Sequence, residues 1–266
     1  MRNKASFLIV GLITVLLSGC AKSPTGRSQI TLFSEEKMAT MGAQSFDEMK
    51  QQIPISKNKK LTQFVQCVAD SITPLVGKDA HSGDWEVVLF DSEQINAFAL
   101  PGGKIGVYTG ILKVTEDQHQ LAAIMGHEVG HVIANHSNER MSSSSLAQTG
   151  LQVINVGLSN QDPQTQNMVM AGLGIGVQYG VLMPYGRSHE READIIGQDL
   201  MAEAGFDPRA AVKLWENMAK VSGDAPPEFM STHPSHETRI NKLSENLKNT
   251  LPLFKASKQK PNCTKR

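Results

Sequence analysis

Along the chain, apolar positions recur with a helical period over most of the length and with a strand period in one short region. Leu61, Phe64, Val65, Val68 and Ile72 share one helical face, which predicts a helix over 57–72 with that stripe in the core. Upstream, Ser34 opens a helix over 34–50 whose first turn holds Glu35 and Glu36, where the helix dipole favours anions. The β-branched run over 85–90 reads as a strand, and 96–100 and 104–109 read as two more around the Pro101-Gly102-Gly103 turn. Thr115 with Gln118 three residues later fits a capping box. It opens a helix to about position 136, which Leu121, Ala122, Ile124, Met125, Val129, Val132 and Ile133 make largely buried.

Residues 146–182 are apolar and glycine-rich, and the polar break at 159–163 divides them into two helices joined by a turn. A membrane hairpin is the sharper alternative, but each apolar stretch is shorter than a span of about 20 residues and contains Gln and Asn. Further helices are expected over 188–204, ended by Gly205, and over 207–222, opened by Asp207 and Pro208. A last one follows His233-Pro234. Residues 20–33, with Pro24 and Gly26, read as a tether, and 255–266 as a polar, mobile tail. The expected class is α+β, mainly α-helical, with a small β-sheet beside the most buried helix.

The N-terminus changes the picture of where the chain resides. Arg2 and Lys4 precede a short apolar run, the pattern of an export signal over 1–19. Leu17-Ser18-Gly19-Cys20 resembles the bacterial lipobox, which implies a lipid on Cys20 as the first mature residue. An ordinary signal peptide with a cysteine near its cleavage site is the plainer alternative. By the same resemblance, Ala21 implies an outer-membrane anchor facing the periplasm, so the expected address is the bacterial cell envelope, with the membrane as a partner.

Charge and cysteine usage narrow the classes further. The 266 residues carry 26 basic and 26 acidic side chains without a long run of one sign, which argues against nucleic acid as a partner. Cys67 and Cys263 remain once Cys20 is set aside. An oxidising compartment would allow a disulfide between them, and two unpaired thiols are the equal alternative.

His127-Glu128-Val129-Gly130-His131 lies inside the best helix of the chain. Residues four apart on a helix have Cβ atoms about 5–6 Å apart on one face, so both imidazoles can reach one ion at about 2.0–2.1 Å. Two structural histidines on a buried helix are the competing explanation. A catalytic zinc needs three protein ligands and an open position, so a third ligand should come from another element. In Glu190-Arg191-Glu192-Ala193-Asp194, Glu190 and Asp194 share a face and Glu192 points elsewhere. Glu190 can therefore complete the set while Asp194 buttresses a ligand histidine. Acidic helix faces are usually only solvated, and it is the upstream motif that gives this one weight.

With both motifs in view, the chain resembles metallopeptidase family forty-eight, the HtpX-like and CAAX-prenyl-protease-like zinc peptidases. There, H-E-x-x-H is followed far downstream by E-x-x-x-D. The likeness runs over about 35–250 and takes in Asn96-Ala97-Phe98, Pro101-Gly102-Gly103 and Thr232-His233-Pro234. It is similar to the Oma-like lipoprotein branch, which lacks the membrane helices of the prenyl proteases. Gly186 departs from the serine of many relatives, which puts the local helix start in doubt. The resemblance implies a zincin-type (gluzincin) metallopeptidase domain over 34–254 with one zinc per chain. His127, His131 and Glu190 would hold the metal, and Glu128 would be the catalytic base. His233 would stand near the zinc as oxyanion donor or transient fourth ligand, with Arg239 as a helper. A loop histidine beside a proline is the equal alternative for His233. His136, His189 and His236 read as surface or supporting residues.

The expected function is thus zinc-dependent endoproteolysis of polypeptides. Resemblance and address suggest envelope quality control, with misfolded outer-membrane proteins as substrates. The rivals are a zinc-stabilised chaperone or outer-membrane assembly factor with little hydrolysis, and a scaffold acting through the 146–182 helices. A structural zinc site usually closes with four protein ligands and needs no base, so Glu128 counts against the first, and the complete ligand set counts against the second.

Overall fold

The computed structural model describes residues 20–178, 183–221, 228–233 and 237–265. The signal-like segment over 1–19, the expected helix end at Ser222, and both Pro234 and His236 lie outside the described residues. Strands β1 (Cys20–Lys22) and β2 (Ser28–Ile30) come first, then helices α1 (Glu35–Gln52) and α2 (Lys59–Ile72). After a 3-10 turn at Thr73–Leu75 come β3 (Glu86–Phe90), β4 (Ala97–Leu100) and β5 (Lys104–Tyr108). Helices follow: α3 (Ile111–Val114), α4 (Gln118–Ile133), α5 (His136–Gly157), α6 (Pro163–Val177) and α7 (Met183–Glu203). The last are α8 (Arg209–Val221), α9 (Glu228–Thr232) and α10 (Glu237–Ala256). The chain is mainly α-helical with a small sheet, as expected, and it divides into two compact units.

The larger unit comprises Glu35–Ala134 and His189–Arg266. Its sheet has the order β3-β5-β4, with β3 parallel and β4 antiparallel to the central β5. Strand alternation sends Leu89, Ala97, Ala99, Ile105 and Val107 into the main core with α2, α4 and α8. The other face presents Phe90 and Tyr108 to Phe46 of α1. Gly102 and Gly103 have φ of 84° and 71°, a left-handed backbone that side chains resist, and so make the tight β4–β5 turn. Asn58 caps α2 by accepting from the Leu61 amide.

Three local expectations change. The cap of α4 is Asp117, which accepts from the amides of His119 and Gln120, both at 2.9 Å, so the Thr115 capping box does not form. Its carboxylate outcompetes a hydroxyl for the orphan amides at a positive helix end. Helix α4 stops at Ile133 because Asn135 turns the chain with φ 54°, and a new helix starts at His136, well before the expected 146. The tail beyond α10 has no regular structure, yet it is not loose. Cys263 is disulfide-bonded to Cys67, its amide donates to Gln118 Oε1 at 2.7 Å, and Lys265 Nζ donates to the Thr115 carbonyl at 2.8 Å. Two free thiols are thereby ruled out.

The smaller unit comprises the residues up to Ser34 and Asn135–Ser188. The segment expected as a tether holds an antiparallel pair, Cys20 opposite Ile30 and Lys22 opposite Ser28. Arg27 grips Glu139 of α5 with two bonds of 2.6 and 2.7 Å, and Gln29 adds a third at 3.0 Å. A fully buried carboxylate demands such partners, and a short polar segment supplies them. Helices α5 and α6 form the expected pair on either side of the polar break, with Asp162 capping α6. Val153, Val156, Met168 and Ile175 on this pair are exposed. No helix of the described residues is long and apolar enough to cross a membrane.

Candidate metal centre

Close approach of α4 and α7 builds the site, and small residues permit it. A Cβ on Gly126 would stand 2.6 Å from the Gly197 carbonyl oxygen, and one on Gly130 would stand 2.8 Å from that of Ala193. The reciprocal Cβ on Gly197 would be 2.5 Å from the His127 amide nitrogen. Backbones this near let the short acidic side chains of α7 reach the imidazoles of α4. Edge strand β4 also packs on α4.

His127, His131, Glu190 and His233 bring one ligand atom each to within 4.8 Å of one another. The Nε2 atoms of His127 and His131 are 3.1 Å apart, and Glu190 oxygens lie 3.3 Å from the first and 3.5 Å from the second. Ligands at about 2.0–2.2 Å from a tetrahedral ion stand about 3.3–3.6 Å from each other, so this donor set and spacing fit a metal. His127 Nδ1 lies 3.0 Å from Asp194 Oδ1, which fixes the ring with Nε2 toward the group. All the expected ligands therefore converge, and His233 joins them, its Nδ1 2.9 Å from Glu190 Oε2 and 3.2 Å from His127 Nε2.

Electrostatics follow from burial and pairing. Burial disfavours a charged His127, but Asp194 and Glu190 outweigh it and push its pKa up to about 9. Burial likewise opposes charge on Glu190, yet bonds from His127 and His233 hold it well below the usual carboxylate range. Asp194 resists its own burial through Arg239, and its pKa is also lowered. Glu128 differs: burial dominates and raises its pKa, and its Oε1 has no hydrogen-bond partner among the described residues.

Glu192 is buried but stands outside the group, in keeping with its opposite direction on the helix. His136 and His189, expected at the surface or in support, are both only 1% exposed. Arg239, expected as a helper, is at 2% exposure the largest fully buried side chain among the described residues. It stacks on Trp215 at 4.0 Å and binds Asp194 through two bonds of 2.7 Å. The resemblance implied a helper here, and the fold supplies its partners.

The profile of peptidase family M48 matches residues 56–247. The mitochondrial metalloendopeptidase OMA1 of Schizosaccharomyces pombe is 36% identical over 163 residues, covering 60% of this chain and 46% of that protein. The mitochondrial metalloendopeptidase OMA1 of Danio rerio is 32% identical over 245 residues, covering 86% and 50%. The beta-barrel assembly-enhancing protease of Yersinia pestis is 26% identical over 235 residues, covering 86% and 47%. The chain spans about half the length of these curated relatives. Relatives named as mitochondrial overturn the expected address in a bacterial envelope, facing the periplasm from the outer membrane. A short basic and apolar leader marks a chain for targeting, and its physical pattern does not by itself fix the compartment.

Proposed function

We propose that this chain, which belongs to peptidase family M48, is a zinc-dependent endopeptidase that hydrolyses peptide bonds in misfolded polypeptides. The observation that carries the reading is Glu128. A carboxylate only 4% exposed, with one oxygen that accepts no hydrogen bond among the described residues, beside two imidazoles and a second carboxylate, is costly to fold unless its chemistry is used. A chaperone with a structural metal has no use for it.

In this reading His127, His131 and Glu190 hold zinc, and Asp194 keeps the His127 ring in the ligating tautomer. Zinc, when bound, supplies a Lewis acid that polarises the scissile carbonyl and makes water acidic enough to attack at neutral pH. Glu128 accepts the proton of the attacking water at Oε1 and passes it to the departing amine. The pKa raised by burial suits a group that must both take and release that proton. His233 has Nδ1 against Glu190, which leaves Nε2, 3.4 Å from Glu128 Oε1, to donate to the carbonyl oxygen as it gains charge.

Glu128→Gln tests the mechanism, because glutamine has nearly the same shape but cannot accept a proton. Zinc content and circular dichroism should match the parent, while cleavage of unfolded casein falls by about 10²–10⁴-fold. Wild-type cleavage by a zinc-loaded variant would remove Glu128 as the base and move the chaperone reading ahead.

A further inference from the structure

Arg239 reaches from α10 into the heart of the site and is shielded from solvent. Its Nε and one terminal nitrogen hold the two oxygens of Asp194, each at 2.7 Å. The other terminal nitrogen lies 3.1 Å from Glu190 Oε2 and donates to the His233 carbonyl at 3.3 Å. The guanidinium face rests on Trp215, which stacks on Phe229 at 5.7 Å, and Phe229 in turn meets the His233 ring at 4.8 Å. The contacts close into a ring: Arg239, Trp215, Phe229, His233 and back to Arg239. One planar fork thus touches the carboxylate that orients His127, the carboxylate assigned to the metal, and the backbone of the histidine above them.

We propose that Arg239 is a positioning residue for the metal site, fixing Asp194, Glu190 and His233 relative to one another without touching substrate. This inference rests on the metal-site assignment proposed above. The geometry favours arginine specifically. A lysine ammonium on the same stem is a compact charge that cannot present parallel N–H groups to both Asp194 oxygens, reach Glu190 and stack on Trp215 together. Three carboxylates, Glu128, Glu190 and Asp194, are buried here, and Arg239 is the fixed cation among them. One of its paths to the metal runs through Asp194, because Asp194 Oδ1 is shared by Arg239 and His127 Nδ1. Partners one step removed from a metal commonly change its affinity by about 10–100-fold.

The test is a double-mutant cycle on the full chain, with zinc affinity read by competition against a chromogenic chelator. Arg239→Met, Arg239→Lys and Asp194→Asn should each weaken zinc binding about 10–100-fold, and lysine should not rescue. Arg239→Met combined with Asp194→Asn should weaken zinc binding by less than the two single losses added together, since both cut the shared Asp194 path. Melting in saturating zinc is followed on the same samples. A lowered melting temperature with unchanged zinc affinity in Arg239→Lys would reduce Arg239 to packing and overturn the proposal, as would strictly additive losses in the double variant. If Arg239→Met does not fold, the cycle is run with Arg239→Lys. No substrate is needed, so an enzyme inert toward casein would sink the peptidase reading while leaving this result standing.

Discussion

His127 Nδ1 and Asp194 Oδ1 are 3.0 Å apart, although 67 positions separate the two residues in the chain. That contact ties the H-E-x-x-H helix to the E-x-x-x-D helix, and Asp194 must also serve Arg239. Asp194→Ala should therefore cost about 3–5 kcal/mol in unfolding free energy, because it strands a buried guanidinium. Asp194→Asn keeps the shape and some of the hydrogen bonds, and should cost less. Denaturant titration of both variants checks the order, and equal stability would mean that the charge pairing contributes nothing.

Glu190→Ala should lose both zinc and casein cleavage, as should the parent protein after chelation, with cleavage returning on zinc addition only in the parent. Metal analysis after dialysis decides the matter. A fully zinc-loaded Glu190→Ala protein would pass the third-ligand role to another member of the group, His233.

Gly197→Ala tests whether helix approach sets the metal geometry. The added methyl would stand 2.5 Å from the His127 amide nitrogen and 2.6 Å from Gly126 backbone carbon, so the helices must part. Overpacking of this kind costs about 1–3 kcal/mol. Zinc affinity should drop as well, although no ligand is altered. A melting curve together with a chelator competition measures both, and unchanged zinc binding in a destabilised protein would uncouple helix spacing from the site.

Cys263→Ser opens the bridge that joins the tail to α2 across a separation of 196 residues. A loop of that length places the loss toward the upper end of the usual range, about 2–5 kcal/mol. Denaturant unfolding with and without reductant checks it. The variant should respond no further to reductant, whereas the parent should fall to the same level.

Much of the site could be read along the chain because helical periodicity translates spacing directly into direction. His127 and His131, four apart, had to share a face, and so did Glu190 and Asp194. The mainly helical class, the small sheet and the two helices on either side of the 159–163 break were legible for the same reason. Helix boundaries were less so. Whether Thr115 or Asp117 caps α4, and where Asn135 breaks it, depends on competition among neighbouring groups that a periodic pattern does not contain.

The amino-acid sequence by itself determined which side chains could bind a metal, since ligand chemistry and i,i+4 geometry are local properties. Tertiary structure alone decided how they met. Gly126, Gly130 and Gly197 are unremarkable in a string of letters, yet their missing Cβ atoms let α4 and α7 touch and bring Glu190 over the histidines. Arg239 became the largest fully buried side chain among the described residues only because Asp194, Glu190, Trp215 and the His233 carbonyl surround it. Likewise Cys67 and Cys263 were two thiols with open alternatives until the fold brought their Cα atoms to 5.7 Å. In each case the deciding quantity is a distance between residues remote in the chain, set by packing of the whole unit rather than by any local preference.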